Sequence, residues 1–494
     1  MLLFKHTLAL AFALALAFAA VAAWAHGGPF QATGIKICEV DSESAIIWTR
    51  LTRTAQQAGL DRPLPIVRYQ NPNSGELVRP RGESRIEWDP VVRFSDGATI
   101  DTIQGAAPGT GGEVRVLYRP TGATNWTETS WQRVDETRDD TAHVPLRSLR
   151  PATAYEIRVE SRSSAGAVPG QAIVGRFRTA PRRQAEARVV FTVTTGQCYE
   201  DQDVPGGGFK IYGAMLKLDP SFFVHTGDIL YYDKLAKSLP LARWHWAAIY
   251  GLRTNVEFHR QVTSYFMKDD HDTLMNDCWP TMKTKFMGEF TFTQGQAVFL
   301  EQVGMGPRTY RTVRWGKDLE IWLPEGRDFR SPNHAPDGAE KSIWGKEQKQ
   351  WFIRTVQASD ATFRLLISPT PLVGPDRANK HDNHANKSFQ HEGDELRTFL
   401  AAQKNMYVIC GDRHWQYVSV DSRTKLREYS CGPASNQHAG GWSQDDQRPE
   451  HVYLNVTGGF LAGVVERDNG HPVLSMRHYS VDGALLHEEH LPAR

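Results

Sequence analysis

Cysteine is scarce in this chain: five residues (Cys38, Cys198, Cys278, Cys410 and Cys431) in a length of 494. So few, and an odd number, exclude a disulfide-built scaffold and leave one thiol over for another task. A surplus of one charge is missing as well. Lys+Arg 57 against Asp+Glu 56 gives a formal +1, which argues against nucleic acid or another polyanionic surface as a partner. There is no HExxH, GxSxG or P-loop pattern, no internal repeat and no low-complexity tract. The best-marked zinc-protease, serine-hydrolase and nucleotide-phosphate signatures are therefore absent. What remains is ordinary globular material, 40% hydrophobic and 23% charged, with a length that favours two or three domains.

One apolar run stands apart. In "MLLFKHTLALAFALALAFAAVAAWAHGG", Lys5 precedes a Leu/Ala/Phe stretch that ends in the small-x-small site Ala23-Trp24-Ala25. This pattern predicts a signal peptide over residues 1–25, cleaved near His26, and an exported protein, periplasmic or extracellular. A transmembrane anchor is the competing reading, but the run falls short of the roughly 20 residues a span needs. No later segment is apolar enough to span a bilayer. The expectation is an exported protein without a transmembrane anchor.

Residues 26–183 read as short alternating strands without a convincing helix, as in "SAIIWTR" and "EVRVLYRP". Val144 and Leu146, then Tyr155, Ile157 and Val159, alternate with turn signals between them, as sandwich strands do. An Arg/Pro-rich link, "TAPRRQAEA", closes the region. From residue 184 the pattern changes to continuous apolar runs such as "ARVVFTVTTG", "SFFVHTGD", "SYFMKDD", "LEIWLPEG", "FRLLISPT" and "MYVICGD". These are too short for helices and rich in β-branched and aromatic residues, the composition of strands buried on both faces. Helix-period segments lie between some of them. One places Ile343, Trp344, Trp351, Phe352 and Val356 on a face, another Leu396, Phe399 and Leu400. Strands alternating with helices predict an α/β domain over 184–494, of buried sheets flanked by helices.

In open α/β sheets ligands bind at the carboxyl ends of the strands. Read in order, those ends are Gly196-Gln197-Cys198, Gly227-Asp228 with Tyr231, Asp269-Asp270-His271-Asp272, and Gly411-Asp412-Arg413-His414. Each has a bland explanation: a turn, a solvated loop, a small buried thiol, an ion pair. Four apolar runs that each terminate in a metal-ligand type point instead to a metal site. Carboxylate, imidazole, thiol and phenol together suit two cations of different hardness.

These motifs resemble the metallophosphoesterase superfamily and, within it, the alkaline phosphatase D (PhoD-like) family. "HTGDILYYD" is similar to the family's His-x-Gly-Asp-x-x-Tyr, "KDDHDTLMND" to its Asp-Asp-His block followed by Asn, and "CGDRHWQY" to its Gly-Asp-x-His-Trp. In the first half, Leu149-Arg150-Pro151-Ala152-Thr153-Ala154-Tyr155 resembles the Leu-x-Pro-x-Thr-x-Tyr stretch of a fibronectin type III repeat. The resemblance implies a metallophosphoesterase sandwich preceded by an all-β, fibronectin-like sandwich.

It also implies roles for individual residues. Asp228 would bridge two metals. Cys198, Tyr231 and His414 would hold a ferric ion, and Asp270 and Asp412, with Asn276 beside them or on the phosphate, a calcium ion. His271 is the candidate to protonate or hydrogen-bond the leaving group, with a purely structural histidine as the alternative. "LPEGRDFR" resembles the family's Leu-Asp-x-Arg-x-x-Arg and would bring Arg327 and Arg330 to the phosphate; Pro324 and Glu325 depart from it, and a structural ion pair fits equally. Asp382 and His384 lie in a polar segment that reads first as a solvated loop. The expected reaction is hydrolysis of a phosphate ester by a water activated at the metal pair. Three functions follow: a phosphodiesterase, a phosphomonoesterase that scavenges phosphate through the same site, and a matrix or adhesion protein whose metals only stabilise the fold.

Overall fold

The computed structural model describes residues 28–78, 87–95 and 97–494; the expected signal peptide lies outside them. Two large sheets organise the chain. The first has nine strands in the order Leu485–Pro492, His471–Ser480, Gly459–Asp468, Val189–Thr194, Phe222–His225, Thr263–Phe266, Ile35–Cys38, Ala45–Arg50, Thr141–Leu146. The second has seven, in the order Arg311–Trp315, Leu319–Leu323, Phe363–Ser368, Met406–Cys410, Arg427–Cys431, Gln416–Val420, His451–Asn455.

The apolar runs form buried strands because alternate residues serve different layers. Phe222 and Val224 pack with Ile321, Leu365, Ile367 and Ile409 between the two sheets. Phe223, between them in sequence, faces the other way, with Tyr212, Ile249, Phe258 and Phe299 from the helical side. On the outer face of the seven-stranded sheet, Trp322, Leu366 and Val408 pack against the helices Gly345–Ala358 and Gln390–Ala401. The order of layers is helix, sheet, sheet, helix, a mixed α/β architecture. The helix expected around Trp344 begins at Gly345, whose φ of +69° sets the turn into it. Ile343 and Trp344 are buried ahead of that helix, not on its face.

The N-terminal strands do two things. Ile35–Cys38, Ala45–Arg50 and Thr141–Leu146 continue the nine-stranded sheet, with Ile37 opposite Thr263 and Cys38 opposite Ser264 in parallel register. Their other face packs against a further, smaller sheet built on Glu113–Pro120, Ala154–Arg162 and Ile173–Arg178, through Ile37, Ile47, Val116, Ile157 and Val159. Strands from both sides of the boundary expected at residues 183 and 184 therefore share one sheet. Tyr155 stacks on Phe177 with ring centroids 5.4 Å apart, and its hydroxyl accepts the Arg150 N–H at 2.8 Å. All five cysteines are buried and unpaired.

Candidate metal centre

The parallel strands Val189–Thr194, Phe222–His225 and Thr263–Phe266 end side by side, and Met406–Cys410 of the other sheet ends near them, since the Asp412 N–H donates to Thr195 Oγ1 at 3.2 Å. The turn after Phe222–His225 depends on Gly227. Its φ is +112°, and a Cβ there would sit 2.6 Å from the Cβ of Asp269, so only glycine lets the two loops pass. Asp228 follows in the left-handed region at φ +53°, and Asp412 is held likewise at +60°; aspartate is among the residues that tolerate this.

Asp228 is buried, with Oδ2 3.4 Å from both Tyr231 Oη and His414 Nε2, while Oδ1 has no hydrogen-bond partner. Burial, then the neighbouring Asp270, hold its pKa well above the usual carboxylate range. His414 does not neutralise it: burial first, then His438, keep that imidazole well below its ordinary value. A buried carboxylate with an unused oxygen is costly, and a cation relieves it. By this test the residues fit a metal centre.

Two groups of ligand types flank Asp228. On one side Tyr231 Oη lies 3.1 Å from His414 Nε2 and 2.5 Å from His438 Nε2. The Cys198 thiol, an Asp201 oxygen and a His438 nitrogen lie within 4.8 Å of one another. Cys198 Sγ is also 2.7 Å from Lys234 Nζ and 3.0 Å from Glu200 Oε2. On the other side, Asp228, Asp270 and His271 form one such group and Asp228, Asp269 and Asp412 another. Asp270 accepts the His271 N–H at 2.9 Å and the Asp277 N–H at 2.5 Å. Burial opposes its charge, but Arg327 and then His271 outweigh burial and hold it below the usual carboxylate range.

His271 hydrogen-bonds Asp233 Oδ1 through Nδ1 at 2.9 Å, and its ring lies 4.3 Å from that of Tyr231. Burial disfavours the imidazolium; Asp233 and then Asp270 overcome this and raise its pKa to about 10. Asn276 reaches the same Asp233, its backbone N–H 3.4 Å from Oδ2. Arg327 lies beneath the acids with no exposed side-chain surface, its Nε 2.5 Å from Asp269 Oδ1 and Nη2 3.6 Å from Asp382 Oδ2. Arg330 is buried too, donating to Asn333 Oδ1 and the Asp382 carbonyl, each at 2.7 Å. Asp382 and His384, read from sequence as a solvated loop, are fully buried, because Arg327 and Glu392 pair with them.

Sequence reasoning missed His438, Asp201, Asp233 and Lys234. A signal for His438 was present: "EYSCGPASNQHAGG" is another buried strand, Arg427–Cys431, running into glycine and then histidine.

Residues 191–452 match the family described as PhoD-like phosphatase, just over half of the chain. A structure titled "Structure of PhoD" superposes with a TM-score of 0.67 at 15% identity, covering 94% of this chain and 89% of that one. The purple acid phosphatase PPD1 from yellow lupin (Lupinus luteus) seeds superposes at 0.56 with 12% identity, covering 91% and 79%. No curated protein matches the chain in sequence. Fold, family match and clustered ligands together define a metal-dependent phosphoesterase. The chain belongs to the PhoD-like phosphatase family.

Proposed function

We propose that the protein is an exported phosphodiesterase with a binuclear centre of one ferric and one calcium ion. The observation that carries the proposal is the unpartnered Asp228 carboxylate, set between a phenol–thiol–imidazole group and an oxygen-rich one. Cys198, Tyr231, His414 and Asp228 would hold the ferric ion; Asp228, Asp270, Asp412 and Asn276 would hold calcium. Bound there, the ions would supply charge to the phosphoryl oxygens and lower the pKa of a nucleophilic water.

The chain's own groups support the rest of the reaction. His271, kept protonated and oriented through Nδ1 by Asp233, can give a proton to the departing oxygen through Nε2. The preference for a diester rests on charge. Arg327, Arg330, Lys380 and Arg413 are each committed to protein acceptors, Lys380 to Asp277 and Arg413 to Asp376. Arg377, half-buried and with an Nε that makes no hydrogen bond, is left to meet substrate, a modest cationic surface that suits a monoanionic diester better than a dianionic monoester.

The Tyr155 hydroxyl bonded to the Arg150 backbone resembles the tyrosine corner of immunoglobulin-like sandwiches. It supports a fibronectin-like reading of the N-terminal strands. No helix among the described residues is long and apolar enough to cross a membrane.

The experiment is a pair of initial rates on bis(nitrophenyl) phosphate and nitrophenyl phosphate, with Asp228→Asn as control. A diester preference lost in the variant is expected. A monoester preference would make the protein a phosphate scavenger, and no turnover above the variant would sink the catalytic reading.

A further inference from the structure

His438 is not among the residues that the motifs mark. It follows the strand Arg427–Cys431 and is pinned from three directions. Its backbone N–H donates to Ser435 Oγ at 3.3 Å, Nδ1 lies 2.8 Å from Asp201 Oδ2, and Nε2 lies 2.5 Å from Tyr231 Oη. The His414 ring is 4.3 Å away, centroid to centroid. Gly196 makes the pairing of rings possible: a Cβ there would sit 3.1 Å from Cδ2 of both imidazoles.

The Asp201 contact decides the tautomer. With the proton on Nδ1 and donated to Asp201, Nε2 presents a lone pair toward Tyr231 and His414. A carboxylate on the distal nitrogen is the arrangement that orients metal-ligating histidines and raises their basicity. The spacings agree. Two neighbouring ligands about 2.1 Å from one octahedral ion are about 3 Å apart. The pairs Tyr231–His438, Tyr231–His414, Tyr231–Asp228 and His414–Asp228 measure 2.5, 3.1, 3.4 and 3.4 Å.

We propose that His438, fixed by Asp201, is a further imidazole ligand of the ion held by Cys198, Tyr231 and His414. This rests on the binuclear-metal reading given above. His438 would add an imidazole to the residues that hold that ion. Asp201 is a positioning residue that acts through it.

The test follows the metal and not turnover. Metal-replete wild type, His438→Ala and Asp201→Asn are each challenged with EDTA. Metal content is followed over time, together with the visible phenolate-to-iron absorption of Tyr231. The expected result is loss of one ion at least 100-fold faster in His438→Ala and roughly 10-fold faster in Asp201→Asn, the range seen for outer partners of ligating histidines. A shifted absorption band, restored by added imidazole, is expected with it in His438→Ala. Should His438→Ala fail to fold, Asp201→Asn still reports, since it leaves the imidazole in place. Equal retention and an unshifted band in every folded variant, with wild type holding two ions, would overturn the assignment and spare the binuclear reading. Wild type that holds no ion would overturn both.

Discussion

The ammonium nitrogen of Lys234 lies 2.7 Å from the sulfur of Cys198. Burial and then Glu200 push that thiol upward, and Lys234 is the neighbour that draws it toward thiolate. A thiolate is the form that binds metal. Lys234→Met is therefore expected to weaken retention of the ion on the Cys198 side about tenfold, roughly 1.4 kcal/mol. Metal content after dialysis checks this; unchanged content would remove Lys234 from the site.

His271 and Asp233 act as a pair. His271→Ala is expected to lower kcat on alkyl phosphodiesters by about 10²–10⁴ with little change in KM. On nitrophenyl esters, whose leaving group needs no proton, the loss should be much smaller. Asp233 is the largest contribution raising the His271 pKa to about 10. Asp233→Asn lowers that value and moves the alkaline limb of kcat to lower pH. A structural histidine would show neither the leaving-group dependence nor the shift.

Asp228 carries a cost in stability. Its carboxylate is buried, and Oδ1 has no protein partner. Asn fits the same left-handed backbone and removes the buried acid. Asp228→Asn should abolish turnover while raising the stability of chelator-treated protein by roughly 1–3 kcal/mol. Urea unfolding of both proteins, with and without metal, separates the two effects.

Arg327 is expected to behave as a strut. Removing it leaves Asp269 and Asp382 buried beside an uncompensated cavity, a class of change that costs about 3–5 kcal/mol. Arg327→Met should lower Tm and soluble yield sharply. A normally stable variant with only a raised KM would instead make Arg327 a phosphate contact.

Glu392 ties the loop after Phe363–Ser368 to the helix Gln390–Ala401. It hydrogen-bonds His384 at 2.9 Å and the Ile343 N–H at 2.6 Å, and Ser342 Oγ as well. Burial opposes its charge, but the bonds from His384 and then Ser342 and Ile343 outweigh burial and bring its pKa down to about 2. A depressed acid stabilises the fold above its unfolded value of 4.5 and loses that contribution as pH falls toward 2. Between those limits, unfolding free energy should fall less steeply in Glu392→Gln, by up to about 1.4 kcal/mol per pH unit. Parallel slopes would contradict the assignment.

The strand ends were legible because each candidate ligand sits within a few residues of its own apolar run. Asp228 with Tyr231, Asp270 with His271, and Asp412 with His414 are local patterns. His438 had only the weak local signal of a strand running into Gly432 several residues before it; its place beside His414 depends on Arg427–Cys431 pairing beside Met406–Cys410, a sheet order that no local periodicity encodes. Sequence left Arg327 between two readings, a phosphate contact and a structural ion pair, because its partners Asp269, Asp270 and Asp382 arrive from elsewhere in the chain. Alternation in Ala45–Arg50 marked a strand but did not say which sheet it would join.

Ile35–Cys38 pairs with Thr263–Phe266, made far later in the chain, and this sets a timetable for assembly. The first strands to be synthesised cannot complete their sheet until the middle of the chain arrives, so the halves cannot mature one after the other. Such long-range pairing slows folding and leaves apolar edges open meanwhile. The last histidines to be synthesised on the Cys198 side, His414 and His438, follow later still. An ion held there could not be fully enclosed before His414 and His438 have been made, so its uptake would report a late step of folding and not an early one.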